Sequence, residues 1–247
     1  MSKSKNIKHG FFKKLSKNSN GIYKNLNYDL NSFVKKKNIA TSLKIVAKKI
    51  KTNSKKIVLL SQIHSNKFYY IGKKLKIKKT RFRGDAIITN QKKTPIGILT
   101  ADCAPILIHD KKGNMISAIH AGWKGAFKGI IQNVIKFMLK NGCTPETMTA
   151  VIGPCISIKN YEVKKDFKDK FIKKDKKNKF FFKKIKNKTY FSLNKYIYLQ
   201  LKNLNIKNIE IINKDTFDVK NNFFSARRSL IQNDNDYGRN ISVIMIN

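Results

Sequence analysis

Acidic residues are scarce in this chain: 14 aspartates and glutamates face 54 lysines and arginines in 247 residues, for a formal net charge of +40. Arginine is scarce too. Arg81, Arg83, Arg227, Arg228 and Arg239 are the whole complement, so nearly all the positive charge is lysine. A surface selected to grip phosphates favours arginine, whose planar fork binds them bidentately. Here the lysines run the whole length, and lysine, asparagine and isoleucine share A/T-rich codons. The charge reads as compositional bias, with weak salt-sensitive sticking to polyanions and no specific nucleic-acid partner. Cysteine is limited to Cys103, Cys143 and Cys155, an odd number without framework spacing, which argues against a disulfide scaffold. No apolar run approaches the length of a membrane span, and the N-terminal MSKSKNIKHGFFKKL has no unbroken apolar stretch. Neither a membrane partner nor a signal peptide is expected, and a reducing cytoplasm fits. With four prolines and twelve glycines, nothing marks a linker. The chain reads as one domain over residues 1–247, and its 41% hydrophobic content argues against wholesale disorder.

What is present is a mixture of periodicities. Residues 39–52 carry apolar side chains at helical spacing. Residues 56–61 (KIVLLS) read as a buried strand ending before Gln62-Ile63-His64, and 84–90 (GDAIITN) as another. Two apolar, β-rich runs, 96–108 and 115–119, flank Asp110-Lys111-Lys112-Gly113-Asn114, a turn signal that predicts a hairpin. From 125 to 140 helical spacing returns, with Asn141-Gly142 as its stop. A short strand over 150–152, a lysine-coated helix and then a loop over 164–190, a helix over 194–204, and strands near 208–212 and 241–246 complete the reading. Strands and helices in no simple βαβ alternation predict an α+β sandwich.

The hairpin brings chemistry together. Pairing about a loop centred near Lys112 makes facing residue numbers sum to about 223 or 224, which sets Cys103 opposite His120 or its neighbour. Facing side chains lie roughly 4.5–5.5 Å apart at Cβ, close enough to share an ion. A thiolate and imidazoles suit zinc or copper, and His64, just past a predicted strand, is a reasonable third ligand. A Cys103–His120 nucleophile–base pair and an inert buried cysteine remain open on residue types alone. Gly122 and Gly125 flank Trp123 at a strand-to-helix junction, either an ordinary tight turn or a place for backbone amides to receive an anion. Arg227-Arg228 is either a phosphate clamp or surface cover.

Taken in order, six blocks resemble one family: Gln62-Ile63-His64, Gly84-Asp85-Ala86, Thr100-Ala101-Asp102-Cys103-Ala104-Pro105, His120-Ala121-Gly122-Trp123-Lys124-Gly125, Ile152-Gly153-Pro154-Cys155-Ile156 with Tyr161-Glu162-Val163, and Phe223-Phe224-Ser225-Ala226-Arg227-Arg228. This is the laccase-domain or polyphenol oxidase (YfiH-like) family, now understood as purine nucleoside phosphorylases. The resemblance implies a four-layer α/β/β/α sandwich and a catalytic zinc held by His64, Cys103 and His120. It implies phosphate-dependent cleavage of adenosine, inosine, guanosine and methylthioadenosine to the base and ribose 1-phosphate, with some adenosine deaminase activity, in a monomer or homodimer. Copper and oxidase activity rank second. On this footing Arg228 and amides near Gly122 are candidates to position phosphate. Asp85 or Asp102 is the candidate to orient ligands from behind. Two departures stand out: Lys14, Ser16 and Lys17 replace an N-terminal block that carries an arginine and paired glycines, and Ser192 replaces an aspartate.

Overall fold

The computed structural model describes residues 6–14, 36–73, 81–234 and 236–247. Strand β1 (Ile7–Phe12) is followed by helix α1 (Lys36–Lys49), strands β2 (Phe68–Ile71) and β3 (Ala86–Thr89), and then β4 (Ile96–Thr100), β5 (Ala104–Asp110) and β6 (Met115–Ala121). Helices α2 (Trp123–Phe127) and α3 (Ile130–Lys140) lead to β7 (Met148–Ile152), β8 (Glu162–Val163) and α4 (Lys165–Lys174). The C-terminal part holds β9 (Phe182–Ile185), β10 (Lys188–Phe191), α5 (Leu193–Asn203), β11 (Asn208–Ile211), α6 (Ala226–Ile231) and β12 (Asn240–Ile246). The α+β class expected from the sequence is the class observed.

A six-stranded sheet, β11-β7-β5-β6-β3-β2, carries the central hairpin in its middle, and a three-stranded sheet runs β1-β12-β4. Every residue of β5 and β6 is buried, which is why both read as nearly continuous apolar runs. Successive side chains of a strand point to opposite faces. Ile106 and Ile108 join one apolar cluster with Ile130, Val134 and Ile197 of the helices. Leu107 and Ala118 join another with Ile96, Ile98, Ile244 and Ile246 of the three-stranded sheet. A third cluster packs Val46 and Ile50 of α1 on Leu99, Ile241 and Val243.

Four sequence expectations change. Residues 57–61 are extended and bury Val58, Leu59 and Leu60, but make only single bridges, Val58 to Ile96 and Ser61 to Arg83, instead of a ladder. The 96–108 run is broken into β4 and β5 by a bend in which Asp102 has φ +79°. The helix expected over 125–140 is two helices, because Gly129 takes a left-handed φ of +89° that ends one and starts the other. The 164–190 stretch contains the expected helix, α4, but a short 3-10 segment and the β9–β10 hairpin stand where a loop was expected. Its phenylalanines explain the difference. Phe171 and Phe191 are fully buried, and Phe167 stacks on Phe171 at 4.8 Å. The lysines solvate the outside of an aromatic cluster.

Candidate active site

The three candidate ligands meet at the end of the central hairpin. The hairpin pairs Ala104 with Ala121 and Pro105 with His120, so facing numbers sum to 225 rather than to 223 or 224. Cys103 therefore lies outside the ladder, one residue before β5, and reaches His120 from the bend instead of across a rung. The proximity holds although the register differs. The ligand atoms of His64, Cys103 and His120 all lie within 4.8 Å of one another. His64 Nε2 is 3.8 Å from Cys103 Sγ, and the two imidazole rings stand edge-on at 4.8 Å between centroids. His120 is buried, Cys103 half-buried and His64 exposed, so the trio opens towards solvent on the His64 side.

Two of the backbone turns at the site are costly. His64 has φ +55° and Asp102 has φ +79°, left-handed conformations that a non-glycine residue keeps only when its surroundings enforce them. The enforcers are two buried carboxylates. Asp85 accepts the amides of Ile63 (3.2 Å), His64 (3.0 Å) and Ser65 (2.6 Å) and the Ser65 hydroxyl (2.7 Å), closing the loop that presents His64. It also accepts His120 Nδ1–H at 2.8 Å, which leaves Nε2 of His120 facing the other two ligands. Burial pushes Asp85 towards the protonated form, but the hydrogen bonds from His120 and Ser65 outweigh it and hold the carboxyl at about 2. Asp102 accepts the hydroxyls of Thr216 (2.7 Å) and Ser225 (3.0 Å) and the amide of Arg227 (2.7 Å). Those bonds tie the Cys103 bend to the start of α6.

The charges of the trio favour one another. Burial opposes the Cys103 thiolate, yet the neighbouring His120 and His64 bring the thiol well below its ordinary range. Burial likewise opposes a charged His120, but Cys103 and Asp85 raise its pKa. Cys155 is the contrast: burial and the nearby Asp215, Asp102 and Cys103 push its thiol up, so it stays neutral. Two imidazoles and a thiolate at this spacing match the nitrogen and sulfur donors of a zinc site with one position open. Among the described residues, this is the single cluster of histidine, cysteine and carboxylates placed to hold an ion.

The other expected site residues divide. The guanidinium of Arg228 is buried and donates to three main-chain carbonyls, of Thr216 (3.0 Å), Phe217 (2.7 Å) and Phe223 (2.7 Å). It braces the segment before α6 with three of its five N–H donors. Arg228→Ala should cost on the order of 3 kcal/mol of stability in urea unfolding, by leaving buried acceptors unpaired. Asp102 accepts three internal donors, which suits bracing of the Cys103 bend. Asp85 orients His120 and the His64 loop, as one of the two carboxylates was expected to do.

Gly122 caps α2, a helix of five residues. What the structure shows at Gly122 is clearance. A Cβ on Gly122 would lie 2.8 Å from Cys103 Sγ and 3.1 Å from His64 Cδ2. Gly122→Ala should therefore lower metal occupancy with little loss of overall stability, measured by metal analysis alongside a thermal melt. Lys14 packs near Arg228, its ammonium 4.8 Å over the Phe224 ring and its pKa lowered by burial and then by the Arg228 charge. Ser16 and Lys17 lie outside the described residues. Ser192 is buried at the start of α5 and donates its amide to the Phe181 carbonyl (2.8 Å). Sequence reasoning assigns no role to Ser65, Thr216 or Tyr161. Ser225 alone carries a local signal, since it accepts the Arg228 amide as an N-cap one residue before α6.

Comparison with known proteins shows the family and the fold. The sequence model of the family described as multi-copper polyphenol oxidoreductase laccase matches residues 8–247. A Rickettsia prowazekii protein named purine nucleoside phosphorylase is 31% identical over 175 residues, covering 70% of this chain and 71% of that protein. A Haemophilus influenzae protein of the same name is 33% identical over 193 residues, covering 76% and 73%. Among solved structures, a Neisseria meningitidis protein of the DUF152 family superposes with a TM-score of 0.85 at 27% identity, covering 99% of this chain and 96% of that one. The Bacillus licheniformis hypothetical protein YfiH has the same fold, with a TM-score of 0.88 at 24% identity over 98% of this chain and 93% of that one.

Proposed function

The chain belongs to the multi-copper polyphenol oxidoreductase laccase family, and we propose that its activity within that family is phosphate-dependent cleavage of purine nucleosides, carried out by residues 1–247 as one domain. The observation that carries this reading is the mononuclear trio of His64, Cys103 and His120, with His120 oriented by Asp85. The names of the relatives supply the substrate class. The reaction takes adenosine, inosine, guanosine or methylthioadenosine with phosphate and returns the free base and the sugar 1-phosphate. Zinc fits the donor set and, when bound, supplies Lewis-acid charge at the open side of the trio. The protein residues do the rest. Cys103 and His120 hold one side of the site rigid, and the exposed His64 borders the opening through which phosphate and nucleoside arrive. Asp85 holds the proton on Nδ1 of His120, so that the Nε2 lone pair is the one offered to an ion. A minor adenosine deaminase activity at the same site follows from the same charge, as in the zinc deaminases.

The test is release of hypoxanthine from inosine by metal-loaded protein with and without phosphate. Turnover that requires phosphate supports the reading, and none with any of the four nucleosides removes it. The copper oxidase alternative also fits two imidazoles and a thiolate. It calls instead for oxygen consumption with phenols by the copper-loaded protein.

The charges of the trio also set a pH dependence. The raised pKa of His120 means that the metal-free protein holds a proton which the ion must displace. Metal affinity therefore rises with pH and falls as pH drops through the raised His120 value, by about tenfold per unit per proton displaced. Equilibrium dialysis of zinc against a competing chelator across pH measures it.

A further inference from the structure

Beside the trio lies a cleft of about 470 Å³ walled by Trp123, Tyr161 and Phe167 and bordered by Arg227, Glu162 and Asp166. Its walls are tied to the residues that flank Cys103. Trp123 follows Gly122, where a Cβ would run into Cys103 Sγ, and the Arg227 amide is held by Asp102 at 2.7 Å. Tyr161 is close enough to feel Cys103: burial, then the Cys103 charge, raises its hydroxyl. The walls are preset. Trp123 meets Phe167 at 4.8 Å, and Phe167 in turn stacks on the buried Phe171. The Arg227 guanidinium lies 5.6 Å from the Tyr161 ring centre and gives one N–H to the Glu162 carbonyl at 3.0 Å. Further donors of its fork remain at the cleft wall.

We propose that this cleft seats the purine base of the substrate between aromatic walls, with Arg227 donating to the acceptor edge of the base and thereby setting preference for 6-oxopurines. The proposal rests on the phosphorolysis reading and deepens it. Flat aromatic walls suit a neutral heterocycle, and the cleft volume suits a small-molecule ligand. Glu162 and Asp166 border the same cleft together with Lys164 and Arg227, so its formal charges balance, as suits a neutral base. Hypoxanthine and guanine present two acceptors, N7 and O6, which an arginine fork matches bidentately. Adenine presents an acceptor and a donor, which a glutamine matches instead. Arg227 is then a specificity-determining residue.

Trp123 is the only tryptophan of the chain, so the cleft carries its own probe. Titration with inosine or adenosine in phosphate-free buffer, excited at the red edge of indole absorption and read directly after mixing with the nucleoside recovered intact by chromatography, reads binding ahead of phosphorolysis or deamination. We expect a saturable change in Trp123 emission, with affinity weakened about tenfold in Phe167→Ala and in Tyr161→Ala. In Arg227→Gln the inosine-to-adenosine affinity ratio should fall by about tenfold or more. Arg227→Lys, which keeps the charge and loses the fork, should also lower it. Emission that does not respond to saturating nucleoside overturns the cleft assignment. An unchanged ratio in a folded Arg227→Gln protein, or a rise in KM for phosphate alone, overturns the role of Arg227. Saturable emission changes without phosphate-dependent turnover would sink the phosphorolysis reading and leave the cleft standing. Turnover with silent emission would do the reverse.

Discussion

Replacing Cys103 by alanine is expected to empty the metal site and lower kcat/KM for phosphorolysis by about a thousandfold, in a protein that still folds. The magnitude reflects what a Lewis acid contributes: several kcal/mol of charge stabilisation, at about 1.4 kcal/mol for each factor of ten. The loss should exceed that of an ordinary thiol for two reasons. Cys103 carries the thiolate, favoured by its two histidine neighbours, whereas Cys143 and Cys155 are buried neutral thiols. And Cys103 stands in a bend outside the ladder, so alanine there removes a ligand without breaking a strand. Cys143→Ala is the control and should leave metal content and turnover in place. Metal analysis and steady-state kinetics on the two proteins measure the difference. Loss of turnover with metal retained in Cys103→Ala would point to the nucleophile–base pairing of Cys103 with His120.

Asp85→Asn is expected to lower zinc affinity by about 10- to 100-fold, the usual effect of removing the partner behind a ligating histidine. It should also destabilise the fold by on the order of 3 kcal/mol, because a buried acceptor of several donors is replaced by a group that itself donates. The pH sign separates this from a generic core lesion. Asp85 has its carboxyl depressed to about 2, so its contribution is fully present above the ordinary carboxylate pKa and is lost as pH falls through about 2. The stability gap between wild type and Asp85→Asn, read from urea unfolding, should narrow in strong acid. A gap that stays constant down to that pH would mean Asp85 acts by shape and not by charge.

The mixed class, the hairpin and the approach of Cys103 to His120 were legible because each rests on a local signal, whereas His64 entered mainly through the family resemblance. The Asp110–Asn114 turn chemistry fixed the hairpin, and proximity survived an error of one or two residues in register because Cys103 sits in a bend rather than on a rung. The fates of Arg227 and Arg228 were not legible. Which of two adjacent arginines faces a cleft and which braces carbonyls depends on where α6 starts relative to Asp102, a partner 125 positions from Arg227 in the chain. Asp85 looked like one of two equal candidates until the loop at 62–65 closed over it. Lysine density in 164–190 masked a phenylalanine pattern whose spacing, Phe167 to Phe171 on α4, faces the core.

The central claim is that the trio serves phosphate-dependent cleavage of a purine nucleoside, and the most direct measurement is phosphorus NMR of the products of inosine with the zinc-loaded protein. The account predicts a growing ribose 1-phosphate signal matched by inorganic phosphate consumed and hypoxanthine formed, absent in Cys103→Ala. Hypoxanthine appearing with free ribose and unchanged phosphate would contradict it.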